Sequence, residues 1–185
     1  MKVTQTELEG VLFVEPRLFE DGRGHFLETF QAERYAASGI AGPFVQDNLV
    51  WSERGVLRGL HLQHPRGQGK LVQALRGEIF DVVVDVRQGS PKFGRWVGAT
   101  LSAKNHLQIF APTGFAHGYV VVGDGALVSY KATDIYAPDA ELGIAWNDPG
   151  LGIDWPVDAP RLNDRDAAAP PLSEIPASRL PPYPA

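Results

Sequence analysis

The sequence predicts an all-β fold, a sandwich or barrel of short strands and most simply a jelly roll with a few short helices. Strand-like runs recur at short intervals, and the 20 Gly and 15 Pro residues of the 185-residue chain separate them. Helical periodicity is scarce. Many short strands divided by turn residues are typical of antiparallel sandwiches and barrels. The predicted strands span residues 11–15, 24–30, 57–63, 71–75, 79–86, 96–101, 106–111, 118–122 and 127–136.

The clearest period of two lies in segment 78–87. Phe80 and Val82 fall on one face of this predicted strand, and Asp81 and Val83 fall on the other. The one good helix candidate spans residues 31–38. It is followed by Gly39, which suits the left-handed position that closes many helices.

The end of the chain changes character. Segment 142–166 carries apolar anchors such as Trp146 and Trp155, so we expect it to pack back on the barrel. Residues 167–185 contain six prolines and no strand periodicity. They predict an extended tail that runs over the surface or frays.

Length and composition exclude several classes of protein. A chain of 185 residues suits one domain spanning residues 1–185. Its net charge of −5 argues against non-specific nucleic-acid binding, and the absence of cysteine excludes disulfides and thiolate metal sites. Glu7 and Glu9 interrupt the N-terminal segment, and no apolar run reaches membrane-spanning length. We therefore expect a cytoplasmic protein with neither nucleic-acid nor membrane partners.

Segment 55–77, GVLRGLHLQHPRGQGKLVQALRG, combines glycines with polar side chains, most of them cationic or titratable. Those side chains belong to Arg58, His61, Gln63, Arg66 and Lys70. A second segment, PTGFAHGY at 112–119, adds His117 after a turn. Such clustering predicts a lined pocket that receives an anionic ligand and moves a proton.

His61 is the first candidate base of this pocket, although a lone histidine in a strand is more often structural. An unperturbed imidazole titrates near pH ~6.5, so His61 suits that role if a carboxylate orients it. By strand parity Arg58 lies on the opposite face from His61. Both can line one pocket only if the strand bends, and this predicts a bulge at Gly59.

A metal site is the main alternative for these histidines. The spacings from Gly55 to His61 and from Pro112 to His117 resemble the two half-motifs of metal-binding cupins. Those motifs place a second His two residues after the first, where this chain has Gln63, and the expected carboxylate is also missing. Two imidazoles beside two cations make a poor cation site. The sequence predicts a cupin-like scaffold without a metal.

Several other polar residues each support two interpretations. Tyr130 has apolar neighbours, so it is either a core residue or a proton donor that reaches the pocket. Asp166, in an NDRD run, is a solvated turn residue unless the fold brings it to His61. Arg23 and Glu28 suit a surface hairpin with a salt bridge. The amides Gln46 and Asn48 suit hydrogen bonds to a sugar or base, or to neighbouring backbone.

Taken together, these segments resemble the dTDP-4-dehydrorhamnose 3,5-epimerase family and cover almost all of residues 19–172 in the family's order. The matching segments are FEDGRGHFLETF, VQDNLVWS, GVLRGLHLQHP, GKLVQALRGEIFDVVVDVR, GSPKFG, PTGFAHGY, SYKATDIYAP, GIAWNDP and RLNDRDAAAPPL. The resemblance implies a cupin-type jelly roll that is usually a homodimer and uses no metal or organic cofactor. It also implies epimerisation at C3 and C5 of dTDP-4-dehydro-6-deoxy-D-glucose to dTDP-4-dehydro-L-rhamnose.

The resemblance assigns roles to matching positions. His61 is similar to the family's proton acceptor, Asp166 to its orienting carboxylate, Tyr130 to the proton donor and Lys70 to the lysine near the ketone oxygen. Phe19 and Phe26 resemble the aromatics around the thymine. The remaining positions implied to contact nucleotide or sugar are Arg23, Glu28, Gln46, Asn48, Arg58, His117, Glu141 and Arg165.

The chain departs from the family pattern at Arg165, where lysine is common, and at Ile135, which replaces the first of two tyrosines. Three other functions remain as alternatives. They are a 3-only epimerase of a related nucleotide-linked 4-keto-6-deoxysugar, a metal-dependent cupin enzyme and a non-catalytic sugar-binding module. An N-terminal strand exchanged between subunits would suit Phe19, Arg23 and Glu28 reaching a partner's site.

Overall fold

A computed structural model describes residues 1–40 and 42–184. Its strands form two antiparallel sheets that share a buried core, which confirms the predicted all-β, cupin-type sandwich. The strands are β1 (Lys2–Gln5), β2 (Leu12–Glu15), β3 (Leu18–Asp21), β4 (Gly24–Leu27), β5 (Gln46–Glu53), β6 (Leu57–Gln63), β7 (Lys70–Arg76), β8 (Glu78–Asp85), β9 (Trp96–Ser102), β10 (Gln108–Ala111), β11 (Phe115–Val121), β12 (Gly125–Ala132) and β13 (Glu141–Gly143).

The two sheets differ in size. One has six strands in the order β1-β2-β10-β7-β12-β5, and the other has five in the order β13-β6-β11-β8-β9. Strands β3 and β4 form a separate two-stranded hairpin. Neighbours in each sheet are often far apart in sequence, so most of the pairing is long-range.

The core between the sheets is built from alternating inward residues. Val72 and Val128 come from the six-stranded sheet, Val83 and Val121 come from the five-stranded sheet, and all four are fully buried. Burying one such side chain contributes about 1.5–3 kcal/mol relative to leaving it exposed. The predicted alternation in segment 78–87 is confirmed, because Val82 and Val83 belong to cores on opposite faces of the five-stranded sheet.

The C-terminal segment covers the outer face of the five-stranded sheet. Trp155 packs there with Val82 and Val84, as expected for segment 142–166. Residues 167–185 were expected to run over the surface or fray, and of these alternatives fraying does not fit, because Leu172, Ile175 and Leu180 are buried in the same cluster. Burial of these three apolar side chains holds the proline-rich segment against the sheet, although the segment has little regular secondary structure.

The predicted helix is confirmed and is shorter than expected. Helix α1 spans Ala32–Ala36, and the Gln31 side chain caps it by accepting a hydrogen bond from the backbone N–H of Arg34 at 2.6 Å. Gly39 follows with φ +89°, in the region that glycine tolerates. A second short helix, α2, spans Asp164–Ala167.

All nine predicted strands occur, but those predicted at 24–30 and 127–136 end earlier, at Leu27 and Ala132. The list of predicted strands omitted β1, β3, β5 and β13, although the hairpin expected around Arg23 includes β3, and Gln46 and Asn48 were expected on one face of a strand, which is β5. The three strands β1, β3 and β13 are short, and β5 carries its large apolar residues Leu49 and Trp51 on an exposed face. Among the described residues, none of the helices is both long and apolar enough to cross a membrane.

Candidate active site

A cavity of about 360 Å³ brings together most of the residues singled out in the sequence. Strands of both sheets, the loop before β13 and helix α2 contribute to its wall. The lining residues are Gln46, Asn48, Val50, Arg58, His61, Gln68, Lys70, His117, Tyr119, Tyr130, Tyr136, Glu141, Asn163, Arg165 and Asp166.

His61 on β6 and Asp166 on α2 form the first polar pair of this cavity. The His61 Nε2 atom lies 2.7 Å from Asp166 Oδ1, although 105 residues separate the two in sequence. The Asp166 side chain is only 1% exposed, whereas that of His61 is 19% exposed. The aspartate is therefore a buried anchor, and the imidazole is the member of the pair that can meet a ligand.

Asp166 remains ionised despite its burial. Burial by itself would raise its pKa, but the hydrogen bond and charge of His61, the backbone N–H of Gly59 and the charge of Arg165 together lower it. The Gly59 N–H donates to Asp166 Oδ2 at 3.2 Å. Asn163 accepts from the Asp166 backbone N–H at 2.7 Å, so both the backbone and the side chain of Asp166 are held.

A bulge in β6 lets Arg58 and His61 line the same cavity. His61 pairs with His117 and Arg58 pairs with Tyr119, so three steps along β6 match two steps along β11. Gly59 within the bulge has φ +126°. A Cβ atom there would lie 2.6 Å from the Cα of Gly118, closer than such atoms approach. The predicted bulge is confirmed, and only glycine fits it.

A second histidine–aspartate pair lies beside the first. His117 Nε2 is 2.9 and 3.0 Å from the two carboxylate oxygens of Asp81 on β8. The Asp81 side chain is fully buried, and burial raises its pKa, while His117 and Lys70 act in the opposite direction. Sequence reasoning placed Asp81 on this face of β8 and assigned it no part in the site.

Lys70, at the start of β7, supplies a cation to the cavity wall. Burial lowers its pKa, and the negative charges of Glu141 and Asp81 partly offset that effect. A desolvated ammonium group interacts more strongly with a developing negative charge than one in water.

Tyr130 on β12 also lines this cavity. Burial raises the pKa of its phenol, and Arg58 opposes the shift. Since an ordinary tyrosine titrates near pH ~10, Tyr130 is protonated at neutral pH. Imidazole, phenol and ammonium groups therefore face one ligand-sized space.

Three side chains from different segments meet at another part of the wall. Tyr136 donates a hydrogen bond to Glu141 Oε2 at 2.7 Å, and Arg165 forms an ion pair with the same carboxylate. The amides of Gln46 and Asn48 also belong to the cavity wall. Gln46 Nε2 donates a hydrogen bond to Asn48 Oδ1 at 3.0 Å.

Some residues expected at the site lie elsewhere in this chain. The β3–β4 hairpin contains Phe19, Arg23 and Phe26, and Glu28 follows it directly. None of these four residues lines the cavity. Phe19 and Phe26 are 48% and 67% exposed, Arg23 binds Asp21, and Glu28 forms an ion pair with Arg34. Within this chain, Arg23 therefore matches the interpretation as part of a surface hairpin with a salt bridge.

Gln63 and Arg66 were also expected near the pocket and lie outside it. Gln63 is buried and connects two loops, donating to the Arg66 carbonyl at 2.9 Å and accepting from the Ala137 N–H at 2.9 Å. The Arg66 side chain binds Asp134 at the surface.

Sequence reasoning missed five wall residues, which are Val50, Gln68, Tyr119, Tyr136 and Asn163. Strand alternation offered a signal for Tyr119, since it lies two residues after His117 on the same strand face. Gln68 and Tyr136 lie in loops, where periodicity carries no information. Within residues 1–40 and 42–184, no three His, Cys, Asp or Glu side chains are arranged to hold a metal ion.

Comparison of the sequence with known proteins identifies one matching protein family. The family model described as dTDP-4-dehydrorhamnose 3,5-epimerase matches residues 5–174. A protein of that name from Pseudomonas aeruginosa is 52% identical over 168 residues, covering 90% of this chain and 93% of the relative. Another from Neisseria gonorrhoeae is 50% identical over 169 residues, covering 91% of this chain; the chain spans 52% of that relative's length.

Solved structures agree with the sequence relatives. The chain is similar to dTDP-6-deoxy-D-glucose-3,5-epimerase RmlC from Legionella pneumophila in complex with dTDP-4-keto-L-rhamnose, with a TM-score of 0.97 and 48% identity over 100% of this chain and 99% of the other. A 3′-monoepimerase from Streptomyces bikiniensis in complex with dTDP-quinovose is less similar. Its TM-score is 0.88 and its identity 39%, over 96% of this chain and 92% of the other.

Proposed function

The chain belongs to the dTDP-4-dehydrorhamnose 3,5-epimerase family, and from this premise we propose how its cavity inverts two carbons of one sugar. The substrate is dTDP-4-dehydro-6-deoxy-D-glucose and the product is dTDP-4-dehydro-L-rhamnose. One observation carries the proposal: a histidine held by a buried carboxylate at 2.7 Å shares a cavity with a protonated tyrosine and a lysine. These are the base, acid and cation that the reaction needs.

His61 acts as the base through its Nδ1 atom. Because ionised Asp166 accepts a hydrogen bond from Nε2, the proton of the neutral imidazole is on Nε2 and the lone pair is on Nδ1. The C4 ketone of the substrate acidifies the hydrogens on C3 and C5. When Nδ1 removes one of them, the imidazolium that forms is stabilised by Asp166.

Lys70 stabilises the enolate that follows. Removing a proton from C3 or C5 moves negative charge onto O4, and a fixed cation near that oxygen lowers the barrier without solvent reorganisation. A single preorganised group of this kind contributes about 10²–10³ to the rate.

Tyr130 donates its own proton to the same carbon from the other side of the ring. Its raised pKa keeps the phenol protonated at neutral pH, so it is available as an acid. Protonation on the face opposite to His61 inverts the carbon, whereas return of a proton from His61 restores the original configuration.

The other polar groups of the wall hold the nucleotide sugar. Arg58 and Arg165 offer guanidinium groups, which suit phosphate oxygens. Gln46, Asn48 and His117 provide hydrogen bonds to the sugar or base. Metal-dependent and non-catalytic alternatives lack a supporting observation of comparable weight.

The enzyme works as a homodimer in this proposal. Leu49 and Trp51 on edge strand β5 are 62% and 50% exposed, and Leu75 on β7 adds to this apolar surface. Apolar surface of this kind favours a protein contact. A second copy of the chain would cover it, and the exposed Phe26 and Arg23 of the β3–β4 hairpin would reach the partner's cavity. A cytoplasmic location remains a prediction.

Deuterium incorporation tests the reaction. Incubation with dTDP-4-dehydro-6-deoxy-D-glucose in D₂O, followed by NMR, should show label at both C3 and C5 of the product. Label at C3 alone would support the 3-only alternative, and a complete lack of label would contradict the acid–base mechanism. The His61→Ala variant should show no turnover but still bind dTDP. Retention of a near-normal rate by that variant would remove His61 as the base.

A further inference from the structure

Ser52 is a buried polar residue on the strand face that forms part of the cavity wall. Side chains alternate along β5, so one face of this strand carries Gln46, Asn48, Val50 and Ser52. The first three line the cavity. Ser52 does not line it and is only 3% exposed. A hydroxyl group buried at the end of this row needs a polar partner.

The partner of Ser52 is the cavity residue Arg58. Arg58 Nε donates a hydrogen bond to Ser52 Oγ at 3.0 Å, and this bond joins β5 of the six-stranded sheet to β6 of the five-stranded sheet. Among residues 1–40 and 42–184, the Arg58 side chain makes this hydrogen bond and no ion pair. Nε is only one of the donors of a guanidinium group, so the two terminal nitrogens remain for a ligand.

The cross-strand neighbour of Arg58 is Tyr119, which does not hold it. Tyr119 is 4% exposed, and its hydroxyl has no hydrogen-bond partner in the part of the chain that the structure describes. Burial raises the pKa of this phenol, while Ser52 and Arg58 act in the opposite direction. Ser52 is therefore the buried group that fixes the orientation of the Arg58 guanidinium.

We propose that Ser52 is a positioning residue that holds Arg58 so that its two terminal nitrogens face the diphosphate of the bound nucleotide sugar. This inference rests on the proposed function, in which Arg58 binds phosphate oxygens. An unrestrained arginine side chain loses rotational freedom when it binds a ligand, and that loss weakens binding. The hydrogen bond to Ser52 removes part of this freedom before the ligand arrives. Ser52 acts through Arg58 and does not itself contact the ligand.

The test is a double-mutant cycle made of Ser52→Ala, Arg58→Ala and the double variant. The probes are dTDP and thymidine, which share base and sugar and differ in the diphosphate. The measurements are the affinity for each probe by calorimetry or NMR titration, kcat and KM, and the melting temperature. Ser90→Ala is the matched control, because Ser90 is also buried and its hydroxyl donates to Asp85 at 2.6 Å, outside the cavity.

Ser52→Ala should weaken dTDP binding about 3- to 10-fold, the range of an ordinary hydrogen bond, and leave thymidine affinity unchanged. KM should rise by a similar factor with kcat within about twofold, because binding common to substrate and transition state is lost. Arg58→Ala should weaken dTDP binding about 10- to 150-fold. The double variant should bind dTDP no more weakly than Arg58→Ala alone. Ser90→Ala should lower the melting temperature and leave dTDP affinity normal.

Three results would overturn the inference. One is normal dTDP affinity in either single variant, and in Ser52→Ala a lower melting temperature with normal affinity would make the bond purely structural. A second is an equal loss of dTDP and thymidine affinity, which indicates a changed cavity shape. A third is additive losses in the double variant, since Ser52 would then act independently of Arg58. Failure of the proposed function is separate, because the unmodified enzyme would then incorporate no label from D₂O while these affinities remain measurable.

Discussion

Replacing Asp166 by asparagine should disable the base without removing it. The carboxylate serves two donors: Oδ1 accepts from His61 Nε2 at 2.7 Å, and Oδ2 accepts from the Gly59 N–H at 3.2 Å. An asparagine has one oxygen and one NH₂ group, so it can satisfy only one of them. The Gly59 N–H is a fixed donor, whereas the imidazole can change its tautomer.

The amide should therefore turn its oxygen to Gly59 and its NH₂ group to His61. Nε2 must then accept, and the ring proton moves to Nδ1, the atom that has to remove the substrate proton. In another histidine–aspartate pair the same change slows turnover about 10⁴-fold by trapping the wrong tautomer. We expect a loss in kcat of about 10³- to 10⁴-fold for Asp166→Asn, equivalent to about 4–5.5 kcal/mol.

The assay is the rate of product formation at saturating substrate, followed by NMR, with dTDP affinity measured in parallel. Asp148→Asn is the matched control, because Asp148 is also buried and accepts from the backbone N–H groups of Gly150 and Leu172 at 2.8 and 2.7 Å, away from the cavity. It should lower the free energy of unfolding by about 1–3 kcal/mol and leave kcat within about twofold. An Asp166→Asn enzyme within tenfold of the normal rate would refute the tautomer reasoning.

Three further predictions follow from the same geometry. The pKa of Lys70 in the free protein is lowered, so its ammonium form is lost at a pH below the ordinary value of ~10.4. The ratio kcat/KM should therefore fall as pH rises through that lowered pKa. Lys70→Arg should move the fall to higher pH, and an unmoved pH profile would exclude Lys70 as its origin. Gly59→Ala should lower the free energy of unfolding by more than about 2 kcal/mol in a urea titration, since its Cβ would lie 2.6 Å from Gly118 Cα; normal stability would contradict the tight contact. If the hairpin completes a partner's cavity, mixing inactive Arg23→Ala and His61→Ala subunits should restore up to about a quarter of normal activity through heterodimers, whereas no recovery would show that Arg23 does not act in the partner's cavity.

Much of the site was predictable from local pattern combined with family resemblance. His61, Lys70 and His117 lie on strands whose alternation or glycine spacing was visible, and the structure places all three on one cavity wall. The conflict in parity between Arg58 and His61 predicted the bulge in β6, because two residues three apart cannot share a face of a regular strand. The structure shows that bulge at the expected glycine.

Two expectations depend on contacts that local pattern does not show. The assignment of the β3–β4 hairpin to the substrate stays a prediction, because within this chain its residues contact one another and solvent. The tail after Asp166 was expected to run over the surface or fray because it lacks periodicity. Leu172 and Leu180 nevertheless fill space on the outer face of the five-stranded sheet. When a segment is buried against residues that are distant in sequence, its own local periodicity does not indicate that burial.

By itself, the sequence determined the strand-rich architecture, the absence of cysteine chemistry and the segments that carry the reactive side chains, since these follow from composition and from the two-residue period of a strand. Only the tertiary structure decided that Asp166 meets His61 across 105 residues, that Asp81 holds His117 and that the Tyr119 hydroxyl is left unpaired. The reason is that periodicity fixes which face a side chain occupies, whereas the partner on that face depends on how strands distant in sequence pair and pack.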